Sequence, residues 1–352
     1  MQSKKIFISG IMLTALLAFS TITKQQSKDI FIKPSNFPEP VYHFKTNPVT
    51  EAGFVLGRNL FYDARFSRNN TISCGFCHIQ SAAFTHHGHD ISHGIDNQVT
   101  IRNAPPVMNL AWSTSFMWDG RVTDLDKQAI IPITDHVEMD CSLDTVIARL
   151  QQDRLYTSMF KKAFGSSKIT GDNLLKALSQ FMLMCISADS KYDKVMRNEG
   201  ASFTADEEAG YAVFIKNCNS CHKEPLFTDY SFRNNGFEIV SPADKGRFAV
   251  THDSADLYKF KVPSLRNLAY TASYMHNGQL YQFRAVIPQY RFYVRNNRNL
   301  DTLLKHNNKL GIDITNEEAA QLAAFLQTLN DSSFVKNPQL AEPDIKYKST
   351  VF

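Results

Sequence analysis

The sequence has little cysteine, little charge and almost no tryptophan. Six cysteines in 352 residues are too few to staple a chain of this length, which excludes a disulfide scaffold. Charged residues are 20% of the chain, and 38 Lys and Arg against 34 Asp and Glu leave a formal charge of +4. That balance is too mild for nucleic-acid binding, which needs a clustered basic face. With 43% apolar and 12% aromatic residues, wholesale disorder is excluded as well. Long apolar runs are also scarce. The exception, Ile6 to Phe19, follows Lys4 and Lys5 and ends at the small-x-small triplet Ala18-Phe19-Ser20. This pattern reads as a signal peptide over residues 1–20. The mature protein is then expected to be exported, periplasmic and without a membrane span. An uncleaved anchor is the rival reading. It is disfavoured by the shortness of the run and by Ser9, Gly10 and Thr14 within it.

Turning to what is present, the length supports two cores more readily than one. Four of the six cysteines fall in one pattern used twice. Cys74-Gly75-Phe76-Cys77-His78 and Cys218-Asn219-Ser220-Cys221-His222 both read C-x-x-C-H, the spacing that attaches a c-type haem. Two thiols on one turn can each bond a haem vinyl group, and the adjacent His then lies under the iron. Chance predicts roughly 0.003 such matches in a chain of this composition. A thioredoxin-like CxxC would need a βαβ pattern, which is absent. A shared zinc site would leave both histidines unexplained. Two covalently bound haem c groups are therefore expected. Cys141 and Cys185 are left over. A disulfide between them is one reading, and two buried thiols acting as small hydrophobes is the slightly favoured one.

The chain reads as mainly α. Leu174, Leu178, Phe181, Met182 and Cys185 mark the apolar face of one helix. Val146, Ile147 and Leu150 start another, with Ser142 and Asp144 as caps. Thr204-Ala205-Asp206-Glu207 and Thr315-Asn316-Glu317-Glu318 are capping-box patterns, and the first opens a helix that runs into Cys218. The polar stretch Ser187 to Ala201 marks a boundary. The expected organisation is an amino-terminal cytochrome c-like domain over 28–190, a carboxy-terminal one over 200–335, and a tail over 336–352.

With these motifs in place, the chain resembles the bacterial dihaem cytochrome c peroxidase family, which includes MauG-like members. The resemblance runs from about Phe54 to Leu329. It rests on Leu56-Gly57-Arg58-Asn59-Leu60-Phe61-Tyr62-Asp63, Arg102-Asn103-Ala104-Pro105, Trp118-Asp119-Gly120-Arg121 and Val137-Glu138-Met139. In the second half it rests on Gly246-Arg247, Val262-Pro263-Ser264-Leu265-Arg266-Asn267 and Tyr274-Met275-His276-Asn277-Gly278. It implies reduction of hydrogen peroxide to two waters at the amino-terminal haem. Electrons would come from a small cytochrome or cupredoxin through the carboxy-terminal haem, and some members are homodimers. Two alternatives stay open: a MauG-like oxidase acting on a protein or organic substrate, and a non-enzymatic dihaem electron carrier or sensor.

The resemblance also implies roles for single residues. Glu138 matches the family's catalytic acid/base, Gln128 a glutamine that orders distal water, and Trp118 a tryptophan between the haems. Read without the family, Glu138 would be a capping or salt-bridged glutamate, and Trp118 ordinary core. His86, His87, His89 and His93 crowd one loop. His93 aligns best with the releasable distal ligand of the first haem in many members, and His89 is the runner-up. For the second iron the peroxidases use a Met, but the matching segment, Ala285 to Tyr290, contains none. Tyr290 falls near that position, as in MauG-type relatives, while Met275 lies early for the family ligand. A calcium ion would be held by the Asn103 side chain and by the backbone around Lys261 and Pro263.

Overall fold

Four capped helices arranged as two pairs set the architecture. In the computed structural model, residues 29–343 are described apart from 87, 89, 240–242 and 307–308. The segment expected to be a signal peptide and His89 therefore lie outside the described residues. The first pair is Glu51–Phe61 and Gly171–Leu183. Each starts on a threonine hydroxyl: Thr50 accepts from the Gly53 N–H and Thr170 from the Asn173 N–H. The second pair is Ala205–Asn217 and Asn316–Gln327, and both of its helices start on full capping boxes, Thr204 with Glu207 and Thr315 with Glu318. Such caps satisfy otherwise orphaned N–H groups and each adds about 1 kcal/mol.

Glycines fix how each pair crosses. A Cβ placed on Gly57 would stand 1.9 Å from the Ala177 carbonyl oxygen, and one placed on Gly210 would stand 1.9 Å from the Gln321 oxygen. Only a residue without a side chain allows these backbones so close. Four residues beyond each contact sit facing phenylalanines. Phe61 meets Phe181 with ring centroids 4.8 Å apart, and Phe214 meets Phe325 at 5.2 Å. The two crossings are thus built from the same parts in the same order. Burying each such ring contributes about 1.5–3 kcal/mol.

Around the first crossing lies a large apolar cluster running from Phe37 to Cys185. Around the second lies a smaller one, which includes Tyr192, Phe214, Phe227, Phe325 and Leu329. The chain then returns to the first cluster through Phe334, Val335 and Leu340. Strand is minor among the described residues. Phe232–Arg233 pairs with Phe260–Lys261, and Lys305–His306 with Lys309–Leu310, both antiparallel.

Cys141 and Cys185 are both buried free thiols, as the apolar reading expected. Cys185 differs in one detail. The helix ends at Leu183, so Cys185 follows it, with its Sγ 3.5 Å from the Phe181 carbonyl oxygen. Trp112 is core, packed on Phe37 with its indole N–H donated to the Pro38 carbonyl at 2.8 Å.

Two charged networks brace the fold, and the first joins the two halves. Arg102 donates to Asp119 at 2.6 Å and to Asp244 at 2.6 and 2.9 Å. Arg121 closes on the same fully buried Asp119. Burial alone would raise the Asp119 carboxyl, but hydrogen bonds from Arg121 and Arg102 outweigh it and hold the group below its ordinary range. Deeper still, Arg266 grips Asp193 through two bonds of 2.8 Å.

Candidate haem sites

Both C-x-x-C-H motifs follow the first helix of a pair. Cys74–Cys77 forms a single helical turn, while Cys218 caps the helix Ala205–Asn217. Each histidine is then oriented by a backbone carbonyl a few residues on. His78 Nδ1 lies 2.8 Å from the Phe84 oxygen. His222 Nδ1 lies 3.2 Å from the Phe227 oxygen and 3.1 Å from that of Pro263. A ring N–H donated to a carbonyl fixes the tautomer and leaves Nε2 as the metal-facing lone pair. Phe84 and Phe227 share a left-handed backbone, with φ of 60° and 55°, which is uncommon for a bulky residue. Burial pushes both imidazoles below their usual range, against the carbonyl bonds that act in the opposite direction. Both shifts favour the neutral imidazole, the form that ligates iron.

Around the first motif, two predicted residues converge, His93 and Glu138. Cys77 Sγ lies 3.9 Å from the His93 carbonyl oxygen. The loop that follows His93 is bound to the Glu138 segment, with the Ile95 N–H donated to the Glu138 oxygen at 2.8 Å. Gly94 is required there, because a Cβ would stand 1.9 Å from the Val137 oxygen. Glu138 itself sits in a turn held by Asp135, whose carboxylate accepts the Val137 N–H at 2.9 Å. Burial, and then the Asp135 charge, push the Glu138 carboxyl up to about 7, with Arg121 opposing. In the other direction, burial and the Glu138 charge raise Cys77 to about 11. Gln128 ends the helical turn Leu125–Gln128 and its amide lies 3.5 Å from Met117 Sδ, beside Trp118.

The second motif opens onto a cavity lined by His222, Cys218, Cys221, Tyr290, Met275 and Trp118. Trp118 comes from the other half of the chain. Its indole N–H bonds the Asn103 carbonyl at 2.8 Å, and its own carbonyl accepts the Lys261 N–H at 2.7 Å. The cavity also reaches Thr85, next to the Phe84 that orients His78. Tyr290 lies on the helix Val286–Phe292. Burial and the nearby Cys221 and Cys218 raise its phenol, with a bond from Asn235 opposing them. Met275 shares the cavity despite its early place in the sequence.

Several contributors escaped sequence reasoning. The Phe84 and Phe227 carbonyls have no side-chain signature. The G-x-x-x-F pattern shared by Gly57-to-Phe61 and Gly210-to-Phe214 is the signal that would have located both crossings. Asn235 had no signal at all.

These features define a class: a mainly α protein with two matching C-x-x-C-H motifs and a tryptophan from one half lining the cavity beside the second. The chain belongs to the di-haem cytochrome c peroxidase family, whose model matches residues 51–201. Membership implies two haem cofactors. The chain is 36% identical to the methylamine utilization protein MauG of Methylorubrum extorquens, a match covering 86% of this chain and 85% of that protein. It is 28% identical to the cytochrome c551 peroxidase of Pseudomonas aeruginosa, covering 97% of this chain and 96% of that one. A solved MauG-like protein associated with microbial copper homeostasis superposes with a TM-score of 0.80 at 32% identity, covering 88% of this chain and 98% of that one. No helix among the described residues is long and apolar enough to cross a membrane.

Proposed function

We propose that the protein is an exported di-haem peroxidase that reduces hydrogen peroxide with two electrons and two protons. The electrons come from a small redox protein. Cys74 and Cys77, and Cys218 and Cys221, would form the thioether links, with His78 and His222 as proximal ligands. Each haem supplies an iron that cycles electrons and polarises a bound ligand. The reading is carried by Glu138, a carboxyl raised to about 7 beside the first motif. A group poised there can take a proton from one peroxide oxygen and hand it to the other as the O–O bond breaks. Gln128 would order water on that face. His93 would be the releasable ligand whose departure opens the first iron, which suits a loop already tethered to the Glu138 segment. Trp118 would carry electrons from the carboxy-terminal centre. The family's calcium also has a fitting donor. Asn103 Oδ1 is buried with no hydrogen-bond partner among the described residues, and the Lys261 and Pro263 carbonyls would complete a set of hard oxygen ligands.

The test is turnover. Purified holoprotein given reduced cytochrome c and hydrogen peroxide is expected to oxidise the cytochrome, and Glu138→Gln to abolish this. Tyr290 favours a second reading, a MauG-like oxidase. Peroxide-driven oxidation of a protein or organic substrate without cytochrome turnover would select it.

A further inference from the structure

Two side chains able to ligate the second iron face one cavity, and the same atom touches both. Asn235 Nδ2 lies 3.2 Å from Tyr290 Oη and 3.5 Å from Met275 Sδ. The orientation of this amide is settled locally. Its oxygen accepts the Phe237 N–H at 3.2 Å, so the NH2 end must face the phenol and the thioether. Met275 is itself held with φ of 73°, a left-handed conformation uncommon for such a side chain.

We propose that Asn235 is a positioning residue that selects which of Tyr290 and Met275 ligates the second haem. The inference rests on the di-haem reading above. If His222 holds the second iron, Tyr290 and Met275, which line the same cavity, would compete to be its other protein ligand. The two ligands differ in charge. Tyr290 would ligate ferric iron as the phenolate, its proton going to solvent, whereas Met275 would ligate as the neutral thioether. An N–H donated to oxygen stabilises the anionic phenolate far more than the neutral, weakly accepting sulfur. Asn235 therefore favours Tyr290 on the ferric iron and keeps Met275 as the unused alternative. A Met ligand raises haem potential, so this one amide also sets whether the second centre is a low-potential or a high-potential one.

The experiment uses Asn235→Asp in the full holoprotein. Aspartate keeps an oxygen for the Phe237 N–H but replaces the donor with a second acceptor that repels the phenolate. Resonance Raman spectroscopy of the ferric protein reads iron–phenolate ligation, and the near-infrared sulfur-to-iron band reads Met ligation. Wild type is expected to show the phenolate signature and no sulfur band. In Asn235→Asp the ratio of phenolate to thioether ligation should fall at least about tenfold, as loss of a hydrogen bond to a charged group implies, so the phenolate signal should drop and the sulfur band should appear. That band should vanish in Asn235→Asp combined with Met275→Leu. An undiminished phenolate signal in Asn235→Asp overturns the proposal, as does a sulfur band in the wild type. Should the aspartate variant fail to fold, Tyr290→Phe decides: a sulfur band supports the reserve role of Met275, and its absence overturns it. Haem content separates the two readings. Fewer than two haems per chain by the pyridine haemochrome assay defeats the di-haem reading itself. Two haems with a spectrum indifferent to Asn235 defeat only this inference.

Discussion

Ile95 donates its backbone N–H to the carbonyl oxygen of Glu138 at 2.8 Å. The loop carrying His93 and the turn carrying Glu138 are therefore one mechanical unit beside Cys77. A change in the loop is felt at the carboxyl, and the two functions proposed for the first centre, opening it and moving protons there, share a support.

Glu138 gives a pH dependence whose sign can be worked out. Its carboxyl is raised to about 7, and a general base must be ionised. Peroxide turnover should therefore climb as pH rises through about 7. Glu138→Gln should lower the rate about 10²–10⁴-fold and remove this limb. Asp135→Asn keeps the acceptor for the Val137 N–H but removes a charge that raises Glu138, so the limb should move to lower pH. The folded protein holds this proton more tightly than the unfolded chain does. The group's contribution to stability is thus present at low pH and declines as pH rises from the ordinary carboxylate range to about 7. Steady-state rates and chemical denaturation across pH 5–8 check both.

Haem content should follow the motifs one by one. Cys218→Ala with Cys221→Ala is expected to remove one of the two covalent haems, and Cys74→Ala with Cys77→Ala the other. Mass spectrometry and haem staining of the denatured chain read the count directly. A count that stays at two in either variant would show that these thiols are not the anchors.

The helix crossings should not tolerate a methyl group. Gly57→Ala and Gly210→Ala each press a Cβ onto a backbone oxygen, which has no rotamer to move away by. Each is expected to cost about 1–3 kcal/mol or more. The loss should appear as a lowered midpoint in thermal or denaturant unfolding.

Arg266 and Asp193 are both fully buried. Removing one partner strands the other charge, at a cost of about 3–5 kcal/mol. Arg266→Met should therefore be severely destabilising. Asp193→Leu with Arg266→Met should be less so than the sum of the two singles, which a double-mutant cycle in denaturant measures.

Much of this protein was legible in the sequence because the relevant chemistry is local. Cys74 to His78 and Cys218 to His222 are complete motifs within five residues, and Thr204 with Glu207 or Thr315 with Glu318 cap a helix within one turn. The same holds for the apolar face that Leu174, Leu178 and Phe181 present. Asn235 was illegible for the opposite reason. Its partners, Met275 and Tyr290, lie 40 and 55 positions away, and an asparagine in a loop has no periodicity. The Phe84 and Phe227 carbonyls were equally silent, since every residue has a carbonyl and only the backbone turn aims it.

What the sequence by itself determined was the helical character, the two C-x-x-C-H motifs and, by resemblance, the family. These depend on spacing along the chain, which is fixed by covalent geometry. What only the tertiary structure decided was the company each motif keeps. It put the His93 loop on Glu138 beside the first motif, and Trp118 from one half against the cavity of the other. It also put Tyr290 and Met275 around one amide. Those arrangements follow from the burial of apolar faces across long separations, where a hydrogen bond of about 3 Å joins residues that sequence distance gives no reason to pair.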